Sequence, residues 1–150
     1  MTTRNAEASE SEARHLSGCE AALLLGRRER NEAVKVLRAI AREGSPRVRR
    51  RVAECLTEIG GEGSIIGLTD LMRDPNADVR LKAVLGLGAL RAHGVRSLLR
   101  TMLESETNTD VKVAIARALG MLSDLSGMSL ICQLLNEGSE RFRRSAAYAL

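Results

Sequence analysis

The chain has 150 residues, of which 44% are hydrophobic and 28% charged, enough for one folded domain with a sizeable core. One Phe, one Tyr and no Trp leave that core to Leu, Ile, Val and Ala, which suits closely packed helices and argues against a β-sandwich. The net charge of +4 is modest, so it fits a simple solubility charge as well as a partner that is nucleic acid or an acidic protein surface.

The cysteines and histidines do not form a metal-binding or disulfide pattern. Cys19, Cys55 and Cys132 are odd in number and widely separated, and His15 and His93 lie far apart, with no second histidine three or four residues from either. We therefore expect no metal, no cofactor, and three reduced cysteines in the core. No nucleophile has a nearby base and no phosphate-binding loop occurs, so we expect no enzyme.

The N-terminal residues 1–14 are polar and acidic. We expect them to be disordered or a frayed helical lead-in, ahead of a folded domain over residues 15–150. They lack the apolar stretch of a secretory signal, and no apolar run approaches the ~20 residues that cross a bilayer. The sequence therefore predicts a cytoplasmic protein with no membrane partner.

A repeated unit occupies the rest of the chain. Its copies begin at Val48, Val79, Val111 and Phe142, at offsets of 31, 32 and 31 residues, and a degenerate copy begins near Ser17. Apolar residues recur in each copy at helical spacing, with small residues on one face. Each copy therefore predicts a helix.

Shorter amphipathic segments separate the copies, at residues 31–42, 64–73, 95–104 and 128–136. Each segment predicts the first helix of a hairpin whose second helix is the following copy. Two short helices cannot bury both apolar faces alone, so hairpins of this kind stack. We predict an all-α protein, an α-solenoid of about four helical hairpins plus a degenerate N-terminal helix. The chain stops inside the fourth copy, so either the array continues in a longer parent protein, which we favour, or a partner caps the last helix.

The copies carry a recognisable motif, in which Asp-Val-Arg or Asp-Val-Lys is followed by small residues and Leu-Gly. This pattern resembles the HEAT-like repeats of the phycobilisome-lyase type over about residues 17–150. The resemblance implies that the motif's acidic and basic residues bond between successive repeats as a ladder; they are Asp78, Arg80, Asp110 and Lys112. It also implies that the ladder breaks at the first copy, where Arg47 replaces the Asp.

A stripe on the second helices is the candidate binding surface. Counting the first residue of each copy as zero, positions 2, 6 and 10 share one helical face, which should look into the groove of the solenoid. The stripe consists of Arg50, Glu54, Glu58, Leu81, Leu85, Ala89, Val113, Arg117, Met121, Arg144 and Tyr148, with Arg51 and Lys82 beside it. Several of these residues are apolar, which is unusual for a solvated face. The hypothesis is an apolar groove with a basic rim that binds an amphipathic or acidic segment; the alternative is ordinary packing between repeats.

Arginines cluster around the start of the first full copy, at positions 47, 49, 50 and 51. We expect Arg49 to be structural and Arg50 and Arg51 to be free. The sequence favours a non-catalytic protein–protein interaction module, an adaptor or scaffold. Two alternatives stay open: a nucleic-acid-associated HEAT protein that uses its arginine-rich surfaces, and a lyase- or chaperone-type subunit acting on a cofactor-bearing protein.

Overall fold

The computed structural model describes residues 2–137, 140 and 143, and this part of the chain is built from helices without strands. The helices are α1 (Thr2–Gly26), α2 (Arg30–Glu43), α3 (Pro46–Ile59), α4 (Glu62–Leu71), α5 (Ala77–Ala89), α6 (Arg96–Ser105), α7 (Thr109–Met121) and α8 (Met128–Glu137). Short 3₁₀ turns at His93–Val95 and Leu125–Gly127 precede α6 and α8. The predicted all-α solenoid is confirmed. The fourth copy, from Phe142 onward, lies outside the described residues apart from position 143.

The helices form two layers. The second helices α1, α3, α5 and α7 pack on one another in chain order, and the first helices α2, α4, α6 and α8 lie against them. The four predicted amphipathic segments coincide with α2, α4, α6 and α8 to within two residues at each end. Because contacts run between neighbouring hairpins, the stack has the one-dimensional organisation of a solenoid.

Side-chain caps begin the second helices. The Ser45 hydroxyl accepts a hydrogen bond from the Val48 N–H (3.4 Å) at the start of α3. Asn76 and Asn108 cap α5 and α7 in the same way, and Asp78 adds a carboxylate to the first turn of α5. Such caps satisfy amide groups that have no partner inside the helix, so the boundaries are set locally.

The second helices also end alike. Gly60 follows α3 with φ of 67°, and the equivalent positions after α5 and α7 are Arg91 (φ 53°) and Ser123 (φ 59°). Left-handed backbone is unfavourable for residues other than glycine. Hydrogen bonds from Ala92 N–H to Leu87 O and the equivalent bond after α7 close these turns, so the repeat geometry holds them in place.

One continuous aliphatic core joins the layers. Leu37, Leu68 and Leu99 lie 31 residues apart on successive first helices, and all three are fully buried. Their counterparts on the second helices are Leu56, Leu87 and Leu119, also fully buried. The aromatic-poor composition therefore reflects a core made of interdigitating aliphatic side chains.

Two of the three cysteines belong to this core. Cys19 and Cys55 are buried free thiols, whereas Cys132 is exposed, so the predicted core position is wrong for Cys132. The Cys55 thiol donates to the Cys19 carbonyl (3.8 Å). Hydrogen bonding to Cys19, together with burial, raises the pKa of Cys55 and keeps it a neutral thiol.

The segment predicted to be a disordered or frayed helical lead-in forms, from residue 2, the first half of α1 (Thr2–Gly26). The Ser45 hydroxyl donates to the Glu12 carboxylate (2.5 Å), and Arg14 donates to the Glu10 carbonyl (3.4 Å). The residues just before the repeat domain thus contact the start of α3.

Candidate functional site

A row of alternating charges crosses three successive second helices. Arg51 on α3 donates to Glu20 on α1, with Nε 2.9 Å from Oε1, and also reaches Glu54 one turn along its own helix (3.3 Å). Glu54 in turn lies 3.0 Å from the Lys82 ammonium on α5. This row links the α1, α3 and α5 surfaces.

The row neutralises much of the predicted basic rim. Arg51 is paired with Glu20, so the prediction that Arg51 is free is wrong. The hydrogen bond to Glu20 also raises the pKa of Arg51. Burial would raise the pKa of Glu54, but Lys82 and Arg51 outweigh it and lower that pKa. Arg50 is exposed and lies 3.6 Å from Glu54. A partner would have to break these pairs to use the charges of α1 and α3.

The α5 and α7 surfaces are different. Leu81 and Leu85 are half-buried, resting on the core with part of each side chain accessible. Met121 is half-buried beside Gly88, with Sδ 3.2 Å from the place of a β-carbon there. Arg117 is exposed, and it has no carboxylate partner among the side chains that the structure describes. We call Leu81, Leu85, Arg117 and Met121 the α5/α7 patch.

Val113 does not belong to this patch. It is only 4% exposed and packs with Ala116 and Ile131. The prediction that it faces the groove is therefore wrong, because α8 folds back over α7 and covers this position. Arg144 and Tyr148, the last two members of the predicted stripe, lie outside the described residues.

A second set of charges forms a ladder between repeats at the loop edge of the stack. Arg49 donates to Asp74 of the next repeat (2.8 Å) and to the Gly44 carbonyl of its own repeat (2.8 Å). Arg80 makes the same arrangement in the following repeat, where its Nε and Nη2 each lie 2.8 Å from a carboxylate oxygen of Glu106. Each arginine thus ties the loop of its own repeat to the loop of the next.

The ladder exists, but its acceptors differ from those that the motif implied. They are the loop residues Asp74 and Glu106, rather than Asp78 in the first turn of α5. In the first copy, Arg49 bonds forward to Asp74 of the next repeat, so the ladder runs from this copy onward. The predicted interruption at Arg47, towards the preceding repeat, stays a prediction.

The loop acceptors are held ionised and also organise the backbone. Hydrogen bonding from Arg80 lowers the pKa of Glu106. Burial would raise the pKa of Asp74, but hydrogen bonds from Arg49 and the Asn76 N–H outweigh it and lower the pKa. The sequence carries a signal for these acceptors that the motif analysis missed: a carboxylate stands five residues before every copy, at positions 43, 74, 106 and 137.

Within the part of the chain that the structure describes, no three His, Cys, Asp or Glu side chains gather closely enough to share a metal ion. None of the helices described combines the length and the apolar character that crossing a bilayer requires.

Comparison with known families agrees with the geometry. A comparison with curated proteins found no match. The family model described as HEAT repeats matches residues 18–78 and 65–150, two overlapping stretches that span nearly the whole repeat array. The stacked hairpins and this match lead to the same conclusion: the chain belongs to the HEAT repeat family.

Proposed function

We propose that the chain is a non-catalytic protein-interaction module, an adaptor or scaffold, that docks a partner on the α5/α7 patch. HEAT repeats are generally protein-interaction scaffolds, and the family is generally non-enzymatic. The observation that carries the proposal is the change of character along the second-helix layer. Its charges pair internally on α1 and α3, whereas α5 and α7 present aliphatic side chains beside an unpaired arginine.

The patch suits an amphipathic segment with a carboxylate at its edge. Leu81, Leu85 and Met121 offer partly accessible apolar area whose burial would drive association. Arg117 could pair with an acidic residue of the partner without first losing an internal ion pair. Lys82, by contrast, is already paired with Glu54 and contributes less.

The proposal is tested by affinity capture from the native host, with quantitation of each captured protein. Wild type is compared with Leu85→Glu and with Arg117→Glu, which changes only an exposed side chain. Leu24→Glu is the matched control, because Leu24 is also an accessible leucine (65% exposed) but lies on α1. We expect one partner to be retained by wild type and Leu24→Glu and lost by both patch variants.

Circular dichroism and thermal melting establish that the variants are folded. A partner captured equally by all four proteins would contradict the patch. Retention that disappears on nuclease treatment would favour the nucleic-acid alternative, and such binding should weaken steeply with salt. That alternative has less support, because residues 2–137 contain no Phe, Tyr or Trp side chain on which a base could stack.

Two finer assignments complete the proposal. The motif with Asp78-Val79-Arg80 and Leu87-Gly88 supports repeats of the phycobilisome-lyase HEAT-like type, which leaves a lyase- or chaperone-type subunit as the other alternative. The buried free thiols Cys19 and Cys55 support a reducing, cytoplasmic location.

A further inference from the structure

The first-helix layer contains two clefts that share five equivalent lining residues. The first, of about 190 Å³ between α2 and α4, has Ala41, Arg42, Gly67, Asp70 and Leu71 in its lining, and its floor is formed by α3. The second, of about 280 Å³ between α4 and α6, has Met72, Arg73, Leu98, Thr101 and Met102 in its lining. Each of these five residues stands 31 positions after its counterpart in the first cleft. This part of the cleft therefore recurs with the repeat.

Each cleft combines an apolar lining with one arginine that has no carboxylate partner among the described side chains. In the first, Asp70 is paired with Arg38, whose Nη2 lies 3.0 Å from its Oδ2, so Asp70 does not balance the charge of Arg42. In the second, Thr101 replaces the acid, and Arg73 has no carboxylate partner in the described part of the chain. Both Arg42 and Arg73 are exposed. Each cleft is therefore suited to a ligand with an apolar side chain and an acidic group beside it.

The spacing of the clefts selects a backbone conformation for the ligand. Neighbouring packed helices lie about 8–10 Å apart. A polyproline II helix rises 3.1 Å per residue with three residues per turn, so side chains three apart share a face about 9 Å apart. In a β-strand, side chains that share a face are two residues apart, only about 6.6 Å, and residues three apart point to opposite faces. An extended segment with polyproline II geometry can therefore fill both clefts with every third side chain.

We propose that the first-helix layer is a second docking surface, which binds an acidic segment of another protein in the polyproline II conformation. An apolar side chain of the segment enters each cleft, and the neighbouring carboxylates pair with Arg42 and Arg73. This surface lies on the opposite layer from the α5/α7 patch, so the two can be tested independently.

The probe is a fluorescein-labelled peptide of three Leu-Pro-Glu units, and binding is measured by fluorescence anisotropy. Arg42→Glu and Arg73→Glu should each weaken binding roughly tenfold, because each replaces an ion pair by a repulsion. Thr101→Trp should weaken it to a similar degree by filling the second cleft without a change of charge. Arg96→Glu is the matched control, since this exposed arginine starts α6 and lines neither cleft. It should bind as wild type does, as should the patch variant Arg117→Glu.

Several results would overturn the proposal. They are absence of peptide binding to wild type, an equal loss with Arg96→Glu, or undiminished binding to Thr101→Trp. A peptide of the same composition with its leucines two and four residues apart should bind much more weakly, and equal affinity would exclude the spacing argument. A single-stranded oligonucleotide that binds in place of the peptide, with the same sensitivity to Arg42→Glu, would instead assign the surface to nucleic acid.

Discussion

Replacement of Arg80 by Met tests whether the loop ladder holds successive repeats together. Arg80 uses four hydrogen bonds: two to Glu106 (both 2.8 Å), one to the Asp74 carbonyl (2.9 Å) and one to the Pro75 carbonyl (3.0 Å). Met keeps most of the apolar stem but provides no donor. Glu106, whose side chain is 5% exposed, would then be a buried carboxylate without its counter-ion.

The expected cost follows from that burial. Removal of one partner of a buried ion pair costs about 3–5 kcal/mol, and the partial exposure of Arg80 (16%) favours the lower end, about 3 kcal/mol. With a urea slope near 2 kcal/mol/M, the unfolding midpoint should fall by about 1.5 M. The melting temperature should fall by roughly 6–12 °C for a domain of this size.

Urea and thermal unfolding followed by helix circular dichroism measure both quantities. Arg73→Met is the control, because its arginine is exposed and unpaired, and a surface change of this kind stays within about 0.5 kcal/mol. A double-mutant cycle with Glu106→Gln should yield a coupling energy above 1 kcal/mol, in the range of directly contacting residues. A loss from Arg80→Met no greater than that from Arg73→Met would refute the reasoning.

Three further predictions concern pH and helix packing. Folding lowers the pKa values of Asp74 and Glu106, so in acid these carboxylates are protonated in the unfolded chain before they are protonated in the folded one. The free energy of unfolding should therefore fall as the pH drops below about 5. Urea unfolding at a series of pH values measures this fall. That fall should be smaller in a chain lacking the arginine bonded to Glu106, so that a parallel pH dependence in both proteins would contradict the assignment. Gly88→Ala should cost about 1–2 kcal/mol, since its β-carbon would lie 3.0 Å from Ala118 Cα on the adjacent helix. At Gly120, by contrast, an added β-carbon would meet no described atom within 4 Å. Gly120→Ala should therefore stabilise the protein by ~0.5 kcal/mol through helix propensity, and thermal melting compares the two variants.

The helical architecture could be predicted because its signals are local and repeat. The segment predicted as residues 31–42 is α2 at Arg30–Glu43, and the cap at Ser45 begins α3 as its sequence indicated. The exposure of the predicted binding stripe was harder to predict, because an apolar residue on an outer helix face can either line a binding groove or pack against the next repeat. Leu81 keeps part of its surface accessible, whereas Val113, at the same position of the next copy, is covered by α8. The pattern within one repeat is the same for both.

The charges illustrate the same limit. Arg49, Arg50 and Arg51 are adjacent in sequence, yet Arg49 joins the loop ladder, Arg51 bonds to α1 and Arg50 is largely solvated. Their partners lie 25 and 31 residues away for Arg49 and Arg51 respectively. The helical period predicts the direction in which each side chain points, but not which other helix or loop lies in that direction.

The sequence by itself determined the repeat length, the helix boundaries and the aliphatic core, since caps, propensities and hydrophobic spacing act within a single hairpin. Only the tertiary structure decided which arginines are paired, which apolar residues are covered and where equivalent clefts open. Those outcomes depend on the distances between side chains of different hairpins, which arise only when the hairpins stack.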